Sequence, residues 1–240
     1  MPPKAHMHHV FDNEEKKNRF RVVVFGSART KPGDPVYEEV FQLGRAIADA
    51  GFDVVTGGGP GAMEAANMGH ESSDNEANVD SYGINIKLPF EQSVNGGVEI
   101  AHEHERFSTR LDEFMSLANI VVITQGGIGT CLELFYTWQL IQVKQMCHIP
   151  IVVVGDMWSG LFKWLKEDML SRGMFSEEDL DVIHFAKDCE EAMEVIHGWY
   201  DAWEDLGEGA CLNSKVYALK GRPYTVLFDE NEEGHKHVHG

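Results

Sequence analysis

One carboxylate follows a glycine-rich turn near the middle of the chain. Glu133 lies three residues after Thr130, between an apolar run at 119–124 that is typical of a buried strand and a run at 134–142 with helical spacing. A strand, a glycine turn and a helix start present free N–H groups to an anion, and the helix dipole adds positive charge. The pattern predicts a phosphate site with a carboxylate beside the ribose of a nucleotide. The glycines of this turn are Gly126, Gly127 and Gly129.

The same spacing has a second interpretation that concerns only helix structure. Thr130-x-x-Glu133 is a capping box, in which the threonine caps the helix and the glutamate bonds back to it. Spacing alone favours this interpretation. The sequence leaves both interpretations open, because a capping role and a place in a pocket use the same two residues.

Two further glycine turns follow buried strands earlier in the chain. The first comes after the apolar run 21–25, and the second comes after the run 52–56. Parallel strands have their carboxyl ends at one edge of a sheet, so we expect all three turns to meet there and to form a nucleotide-type pocket. The residues of these two turns that we expect to bind substrate are Gly26, Ser27, Arg29, Gly58, Gly59, Gly61 and Glu64.

Two arginines lie four residues apart, at or near the start of a helix expected from about 107 to 117. Arg106 and Arg110 therefore share one face. Arg110 leads into the strand that ends at the central turn, which makes it the better candidate for contacting a phosphate or ribose. The alternative is a surface ion pair with one of the nearby acids, which are Glu103, Asp112 and Glu113.

Two histidines alternate with acidic residues just before this helix. They are His102 and His104, and the alternation could suggest a metal. The spacing fits no usual ligand set, however. We therefore predict two exposed histidines and no metal site. As a separate prediction, we expect no cofactor.

Six apolar strands alternate with helices, at 21–25, 52–56, 81–87, 119–124, 148–154 and 181–185. This order predicts the α/β class, as a Rossmann-like, doubly wound parallel sheet with helices on both faces in a single domain at 20–205. A polar, histidine-rich arm at 1–19 precedes the domain. An acidic extension at 206–240 follows it, and we expect partial order around 216–227.

The overall charge limits the kinds of partner. The chain has 39 acidic and 20 basic residues and a net charge of −19. Nucleic acid and anionic membranes require a basic surface, so we exclude both as main partners. A small phosphate ligand stays compatible, because local N–H groups can outweigh a distant negative field. No signal peptide and no transmembrane helix is predicted.

The cysteines indicate a compartment. They are scattered and form no CxxC pair, so we predict free thiols in a reducing environment and a cytoplasmic protein. The four are Cys131, Cys147, Cys189 and Cys211.

Two common nucleotide fingerprints are weak or missing. The turn at 57–61 can be aligned with a GxGxxA motif, but it follows the second strand and lacks an acidic ribose residue about 20 residues further on. An NAD-dependent oxidoreductase is therefore a weak interpretation. No turn is followed by the Gly-Lys-Ser/Thr of a Walker A motif.

Three blocks of the sequence resemble the LOG (LONELY GUY) family, whose members were long labelled lysine decarboxylases. The blocks are Gly-Ser-Ala-Arg at 26–29, Gly-Gly-Gly-Pro-Gly-Ala-Met-Glu-Ala-Ala-Asn at 57–67 and Gly-Gly-Ile-Gly-Thr-Cys-Leu-Glu at 126–133. The resemblance implies a Rossmann-like homodimer that hydrolyses the N-glycosidic bond of a nucleoside 5′-monophosphate such as AMP or a cytokinin nucleotide. The products are the free base and ribose 5-phosphate. The resemblance also implies that Glu133 and Arg110 are the catalytic pair.

The chain departs from the family at two positions next to that pair. Gln125 stands where the family usually has proline, and Leu111 stands where lysine often follows the arginine. The leucine removes a cation that would help to bind phosphate, so we expect substrate choice to depend on these positions. Glu64 is the candidate acid for the leaving base, and its alternative role is that of a stabilising acid in the first turn of a helix.

Two other functions compete with nucleotide hydrolysis. A non-catalytic nucleotide or molybdenum-cofactor carrier would have the same fold, since fold does not determine function. The pair of Arg110 and Glu133 favours the enzyme. Lysine decarboxylation would need a Schiff-base lysine beside a phosphate site. Lys87 and Lys144 lie away from the glycine turns, so we do not expect that activity.

Overall fold

Eight strands form one sheet in the computed structural model of the chain, which describes residues 19–75, 78–88, 93–207, 211, 213 and 224–229. The strands are β1 (Arg21–Phe25), β2 (Asp53–Thr56), β3 (Ser81–Ile86), β4 (Ile100–His104), β5 (Ile120–Ile123), β6 (Ile151–Val154), β7 (Ile183–Ala186) and β8 (Tyr224–Asp229). Their order across the sheet is β7-β6-β5-β1-β2-β3-β4-β8. The first seven are parallel, and β8 is antiparallel to β4.

The chain reverses its direction of travel across the sheet after β4. From β1 it adds β2, β3 and β4 towards one edge, and it then crosses back so that β5 pairs with the free side of β1. The connection after β1 therefore leads to β2 on one side of this pair, and the connection after β5 leads to β6 on the other side. This divergence leaves a crevice at the carboxyl ends of β1 and β5. The predicted doubly wound α/β fold is confirmed.

Helices cover both faces of this sheet. The α-helices of the described residues are α1 (Pro35–Asp49), α2 (Ala62–Glu71), α3 (Phe107–Leu117), α4 (Ile128–Gln142), α5 (Ser159–Trp164) and α6 (Cys189–Leu206). A π-helical turn at Leu165–Met169 follows α5, and 3₁₀ turns lie at Asp156–Trp158, Leu170–Arg172 and Glu177–Leu180. Among these helices, none combines the length and the apolar character that crossing a bilayer requires.

The strands β1, β5 and β6 are apolar except for the buried Arg21 at the start of β1, because both of their faces are covered. In β1, Val23 and Phe25 belong to the core under α3 and α4, while Val22 and Val24 belong to the core under α1, α2 and α6. Parallel strands of this kind appear in a sequence as continuous apolar runs. The runs at β1, β5 and β6 are visible in the sequence for this reason.

Two strands lie outside the six predicted ones. β4 reads Ile-Ala-His-Glu-His, which is no apolar run, yet four of its five residues are buried. The prediction that His102 and His104 are exposed is wrong, because both are fully buried. β8 belongs to the predicted extension at 206–240, of which 206, 207, 211, 213 and 224–229 are described. The predicted arm at 1–19 lies outside the described residues except for Arg19.

The prediction of four free thiols is wrong for one pair of cysteines. Cys147, in the connection before β6, forms a disulfide with Cys211, which follows α6. Cys131 and Cys189 are free. The bonded residues are separated by 64 positions, so no local spacing such as CxxC indicates the bond. The side chain of Asn213 strengthens this contact, since it accepts a hydrogen bond from the Cys147 N–H at 2.7 Å.

Candidate active site

A cavity of about 450 Å³ lies at the crevice between β1 and β5. The loop after β1 forms one wall and the start of α4 forms the other, while α2 and α3 contribute one side chain each. The lining residues are Phe25, Gly26, Ser27, Ala28, Arg29, Met63, Arg110, Gly127, Ile128, Gly129, Thr130 and Glu133. Ligands of open α/β sheets bind in such crevices, so the cavity lies where the glycine turns predict a ligand.

Backbone hydrogen bonds hold the two walls together. The N–H of Ser27 donates to the carbonyl of Gln125 at 3.0 Å, and the N–H of Ala62 donates to the carbonyl of Ser27 at 2.8 Å. The segments can approach this closely because residue 26 is glycine. A Cβ on Gly26 would overlap the side chains of Thr124 and Ala62. The loop after β1 is thus fixed against the loops that follow β2 and β5.

The helix α4 begins earlier than the capping-box interpretation requires. Its first residue is Ile128 and its N-cap is Gly127, without a side-chain cap. Thr130 is therefore inside the helix, and the interpretation of Thr130 and Glu133 as a capping box is wrong. Because no described side chain caps α4, the N–H groups of its first turn stay available to an anion in the cavity.

Glu133 faces the cavity from the second turn of α4. Its side chain is 13% exposed, and its Oε1 lies 3.8 Å from Nη1 of Arg110. Burial raises the pKa of Glu133 to about 7, although the charge of Arg110 acts in the opposite direction. A carboxyl group with this pKa populates both protonation states near neutral pH, as a general base or acid must.

Arg110 reaches the cavity from α3 and is held by two backbone carbonyls. Its Nε donates to the carbonyl of Ile84 at 2.7 Å, and its Nη2 donates to that of Gly57 at 3.4 Å. Its Cζ lies 5.1 Å from the centre of the Phe114 ring. Burial lowers the pKa of Arg110, and the Glu133 carboxylate counteracts this. The alternative of a surface ion pair is wrong, because Arg110 pairs with Glu133 inside the cavity.

The structure brings some of the predicted substrate-binding residues to the cavity and leaves others outside it. Those that line it together with Arg110 and Glu133 are Gly26, Ser27, Arg29, Gly127, Gly129 and Thr130. Those that are not among the described lining residues are Gly58, Gly59, Gly61, Glu64 and Gly126. Burial and the charge of Glu64 raise the pKa of the Tyr37 hydroxyl in α1. Gly126 packs against the Thr130 side chain, where a Cβ would overlap.

The second glycine turn supports the cavity from behind. Gly61 is the N-cap of α2 at φ 75°, and a Cβ there would overlap the backbone of Ser27 and Ala28. Both the left-handed φ and the close approach require glycine. Gly57, at the other end of the turn, accepts the hydrogen bond from Arg110. The turn therefore positions the β1 loop and the arginine.

Two asparagines that are absent from the sequence predictions hold this turn in place. The buried Asn67 accepts a hydrogen bond from the hydroxyl of Thr56 at 2.6 Å. Asn95 donates to the carbonyl of Gly59 at 2.9 Å and to the side chain of Asn67 at 3.1 Å. Asn67 lies in the block at 57–67 that carries the family resemblance, whereas no sequence signal indicates Asn95.

Three apolar side chains in the lining are also absent from the sequence predictions. Phe25 ends β1, Met63 lies in the first turn of α2, and Ile128 begins α4 with 87% of its surface exposed. Each lies next to a glycine turn, and this adjacency is the signal that would have identified them. Met63 and Ile128 give the cavity an apolar surface on which a flat ring or a sugar can pack, whereas Phe25 is only 2% exposed.

The charge inside the cavity is opposite in sign to that of the whole protein. Among the described lining residues, the guanidinium groups of Arg29 and Arg110 outnumber the single carboxylate of Glu133, whereas the chain has a net charge of −19. Guanidinium groups and free N–H groups at a helix start both favour an anion. The site can therefore hold a phosphate and place a carboxylate beside the group attached to it.

A protein family described as possible lysine decarboxylase matches residues 61–196, a segment that covers more than half of the chain and includes Arg110 and Glu133. The chain belongs to this family. Its domain is the LOG-type domain, so the family resemblance seen in the sequence is confirmed. No curated protein matches the chain at a significant level.

Solved structures similar to this LOG-type chain share its fold. The molybdenum cofactor binding protein of Rippkaea orientalis is 23% identical with a TM-score of 0.52, covering 75% of this chain and 94% of its own. The molybdenum cofactor carrier protein of Chlamydomonas reinhardtii is 20% identical with a TM-score of 0.53, covering 76% and 99%. A structural-genomics target is 25% identical with a TM-score of 0.56, covering 75% and 99%. These similarities support the fold of the LOG-type domain, and its activity has to be argued from the site.

Proposed function

We propose that this LOG-type protein is a nucleoside 5′-monophosphate phosphoribohydrolase, which releases a free base, adenine or a cytokinin-type adenine, and ribose 5-phosphate. The observation that supports this most strongly is the pair of Arg110 and Glu133, whose charged atoms are 3.8 Å apart in the cavity at the start of α4. An anion site and a carboxylate one helical turn away are what cleavage of a phosphorylated riboside requires.

The phosphate of the substrate binds at the first turn of α4. The N–H groups there and the hydroxyl of Thr130 supply hydrogen-bond donors. This pose places the ribose next to Glu133, since one turn of helix advances about 5.4 Å. Arg110 orients the sugar through Nη1, because its other nitrogens are bonded to backbone carbonyls. The base packs against Met63 and Ile128.

Cleavage breaks the bond between C1′ and the base nitrogen, and both bonding electrons leave with the base. The ribose becomes an oxocarbenium-like cation, which the Glu133 carboxylate stabilises electrostatically. Water then adds its oxygen to C1′ and gives a proton to Glu133, which releases this proton to solvent. The base takes one proton from solvent, so one water is consumed per nucleotide. Glu64, the acid suggested by the sequence, is not among the described residues that line the cavity.

The test measures release of adenine and ribose 5-phosphate from AMP by the wild type, Glu133→Gln and Arg110→Ala. We expect kcat to fall by about 100-fold or more in each variant, because each removes a charge that acts on the transition state. Glu178→Gln, which changes an exposed carboxylate in the Glu177–Leu180 turn, is the matched control. Release at the wild-type rate by either site variant would refute the assignment.

The competing function is that of a non-catalytic carrier of a nucleotide or of molybdenum cofactor. Two of the similar solved structures are named for binding or carrying this cofactor. A carrier needs the anion site but has no use for a carboxyl group that titrates near neutral pH. Calorimetry with AMP, run beside the adenine assay, separates the two functions. Binding without turnover would support the carrier.

The family description as a lysine decarboxylase finds no support at this cavity. Pyridoxal phosphate chemistry needs a lysine that forms a Schiff base beside the phosphate. Among the described residues that line the cavity there is no lysine. Lys87 and Lys144 are both exposed elsewhere on the surface. We therefore do not propose this activity.

We also propose that the protein is a homodimer, as the family resemblance implies. Ile128, Leu132 and Phe135 follow one face of α4 at helical spacing and are 87%, 45% and 38% exposed. Neighbouring large apolar side chains on a surface mark a contact with another protein. Because Ile128 also lines the cavity, a second copy bound on this face would lie beside the site.

A further inference from the structure

A buried carboxylate of α3 lies between two buried histidines of β4. Oε1 of Glu113 is 2.8 Å from Nδ1 of His102, and Oε2 of Glu113 is 2.6 Å from Nε2 of His104. The two histidines are fully buried, and Glu113 is 2% exposed. Each carboxylate oxygen accepts a hydrogen bond from a different imidazole. We name these three residues the histidine bridge, and the proposed mechanism does not use them.

The histidine bridge is not arranged as a metal site. Within the described ranges of the chain, no group of three or more histidine, cysteine, aspartate or glutamate side chains could hold a metal ion. The carboxylate of Glu113 is bonded on both oxygens to imidazole nitrogens. The bridge therefore connects α3 to β4.

The bridge and Arg110 lie on the same face of α3. Glu113 follows Arg110 by three residues, and side chains at this spacing are neighbours on a helix. Arg110 extends to β3, where it donates to the carbonyl of Ile84, whereas Glu113 extends to the histidines of β4. Charged side chains thus attach α3 to two adjacent strands. A rotation of α3 about its axis would break both attachments.

The charge on Glu113 makes its attachment strong. Burial alone would raise the pKa of Glu113, but His102 and His104 outweigh burial, and the pKa lies below its usual value. Glu113 is therefore ionised at neutral pH. A buried carboxylate is tolerated only while its hydrogen-bond partners stay in place. A displaced α3 would leave this charge buried and unpaired, so the bridge restricts α3 to one rotation on the sheet.

We infer that Glu113 is a positioning residue for the site. By fixing the rotation of α3 on β4, it aims Nη1 of Arg110 at Glu133. A catalytic group that is misplaced by about 1 Å can cost about 100-fold in rate. The kinetic part of this inference rests on the proposed function. The structural part concerns only where Arg110 lies and which charge it places beside Glu133.

The test compares Glu113→Gln with the wild type by NMR and by kinetics. The Nε–H resonance of Arg110 reports its hydrogen bond to Ile84, and the carboxyl ¹³C titration of Glu133 reports the nearby guanidinium charge. We expect the Arg110 resonance to shift or broaden. We also expect the pKa of Glu133 to rise, because Arg110 lowers it. With AMP, kcat falls by about 100-fold while KM changes less than about threefold.

Two sets of variants separate positioning from a general loss of stability. Asp53→Asn is the matched control, because Asp53 is a fully buried carboxylate at the amino end of β2. The cavity lies at the other end of the strands, at their carboxyl ends. We expect it to lower stability without moving the Arg110 resonance. His104→Gln keeps an N–H donor for Glu113, and His104→Leu removes it. We therefore expect wild-type behaviour to be retained only in His104→Gln.

An unchanged Arg110 resonance together with an unchanged Glu133 titration in folded Glu113→Gln would overturn the inference. If Glu113→Gln does not fold, the His104 variants decide, and identical Glu133 titrations in His104→Gln and His104→Leu would overturn it. If the resonance moves as expected while the wild type releases no adenine from AMP, the proposed function fails and the positioning role of Glu113 is supported.

Discussion

Nη1 of Arg110 lies 3.8 Å from Oε1 of Glu133, although the two residues belong to different helices, α3 and α4. Their side chains are 11% and 13% exposed, so solvent and salt screen this interaction only weakly. Burial destabilises the charged form of Glu133, and Arg110 compensates only in part. The pKa of Glu133 is raised to about 7 as a result.

The activity should rise with pH through a midpoint near neutrality. The proposed mechanism uses the ionised form of Glu133, whose pKa is about 7. We therefore expect kcat/KM for AMP to increase from about pH 6 to about pH 8 and then to level off. Initial rates of adenine release across this range measure the profile. A profile that falls as the pH rises would show that the protonated acid is the active form.

The substitution Glu133→Gln should stabilise the protein at alkaline pH. The folded pKa of Glu133 is about 7, above the ordinary value of 4.5. A group whose pKa is raised by folding makes its full contribution to stability at a pH below its unfolded pKa. This contribution is lost as the pH rises through the folded pKa. The amide avoids the loss, which is at most about 3 kcal/mol above about pH 8.

Thermal unfolding of wild type and Glu133→Gln at two pH values measures this difference. We expect similar midpoints near about pH 4, where glutamate is protonated in both states, and a higher midpoint of the variant near about pH 8. A lower midpoint of the variant at the higher pH would contradict the burial of a charged Glu133.

Two alanine substitutions in the central turn should separate stability from ligand binding. A Cβ on Gly126 would overlap the Thr130 side chain, whereas a Cβ on Gly129 has no atom within 4 Å. We expect Gly126→Ala to lower the free energy of unfolding by about 1–3 kcal/mol. Gly129→Ala, inside a helix, should raise it by up to about 1 kcal/mol. Its methyl group would nevertheless occupy the phosphate end of the cavity and weaken AMP binding.

Chemical denaturation gives the free energy of unfolding of both alanine variants, and calorimetry gives their affinity for AMP. The wild type and Gly160→Ala, which also adds a Cβ in open space within a helix, are the references. Wild-type affinity in Gly129→Ala would show that the phosphate binds elsewhere.

The substitution Leu132→Asp should convert a dimer into a monomer. Leu132 lies between Ile128 and Phe135 on the exposed face of α4, so a charge there would be buried without a partner in the dimer. Size-exclusion chromatography with light scattering measures the mass. Leu206→Asp, at an exposed leucine of α6, is the matched control and should leave the mass unchanged. A monomeric wild type at micromolar concentration would contradict the proposed dimer.

Loss of the bond between Cys147 and Cys211 should lower the free energy of unfolding. A disulfide between residues 64 positions apart restricts the unfolded chain, and its removal costs about 2–4 kcal/mol. Denaturation of wild type and Cys211→Ser measures this difference. Thiol titration of the denatured protein should find two thiols before reduction and four after it. Four thiols before reduction would show that the bond is not formed.

The sequence predicts most of this sheet because its central strands are continuous apolar runs. β4 is the instructive exception. His102 and His104 appear polar in the sequence, and their burial is tolerable only because Glu113 of α3 bonds to both. That bonding depends on how α3 packs on the sheet, which no local pattern specifies. The disulfide between Cys147 and Cys211 was unpredictable for the same reason.

The site could be predicted to the level of its turns but not to the direction of its side chains. The spacing of Thr130 and Glu133 fits both a capping box and a pocket, and the start of α4 at Ile128 decides between them. Gly61 belongs to a turn that resembles the other two in sequence. The turn follows β2, however, which is outside the crevice between β1 and β5, so it packs behind the cavity.

The pairing of β1 with β5 has a consequence for biosynthesis. Phe25 lies opposite Ile123, so the wall that carries Ser27 meets its counterpart only after the ribosome has made α1, α2 and α3. A nascent chain that stops before α4 has neither the helix start proposed to bind the phosphate nor Glu133. The nucleotide proposed to bind here would therefore find no complete site until α4 (Ile128–Gln142) has been made, so an effect of nucleotide on folding yield is expected only after that point.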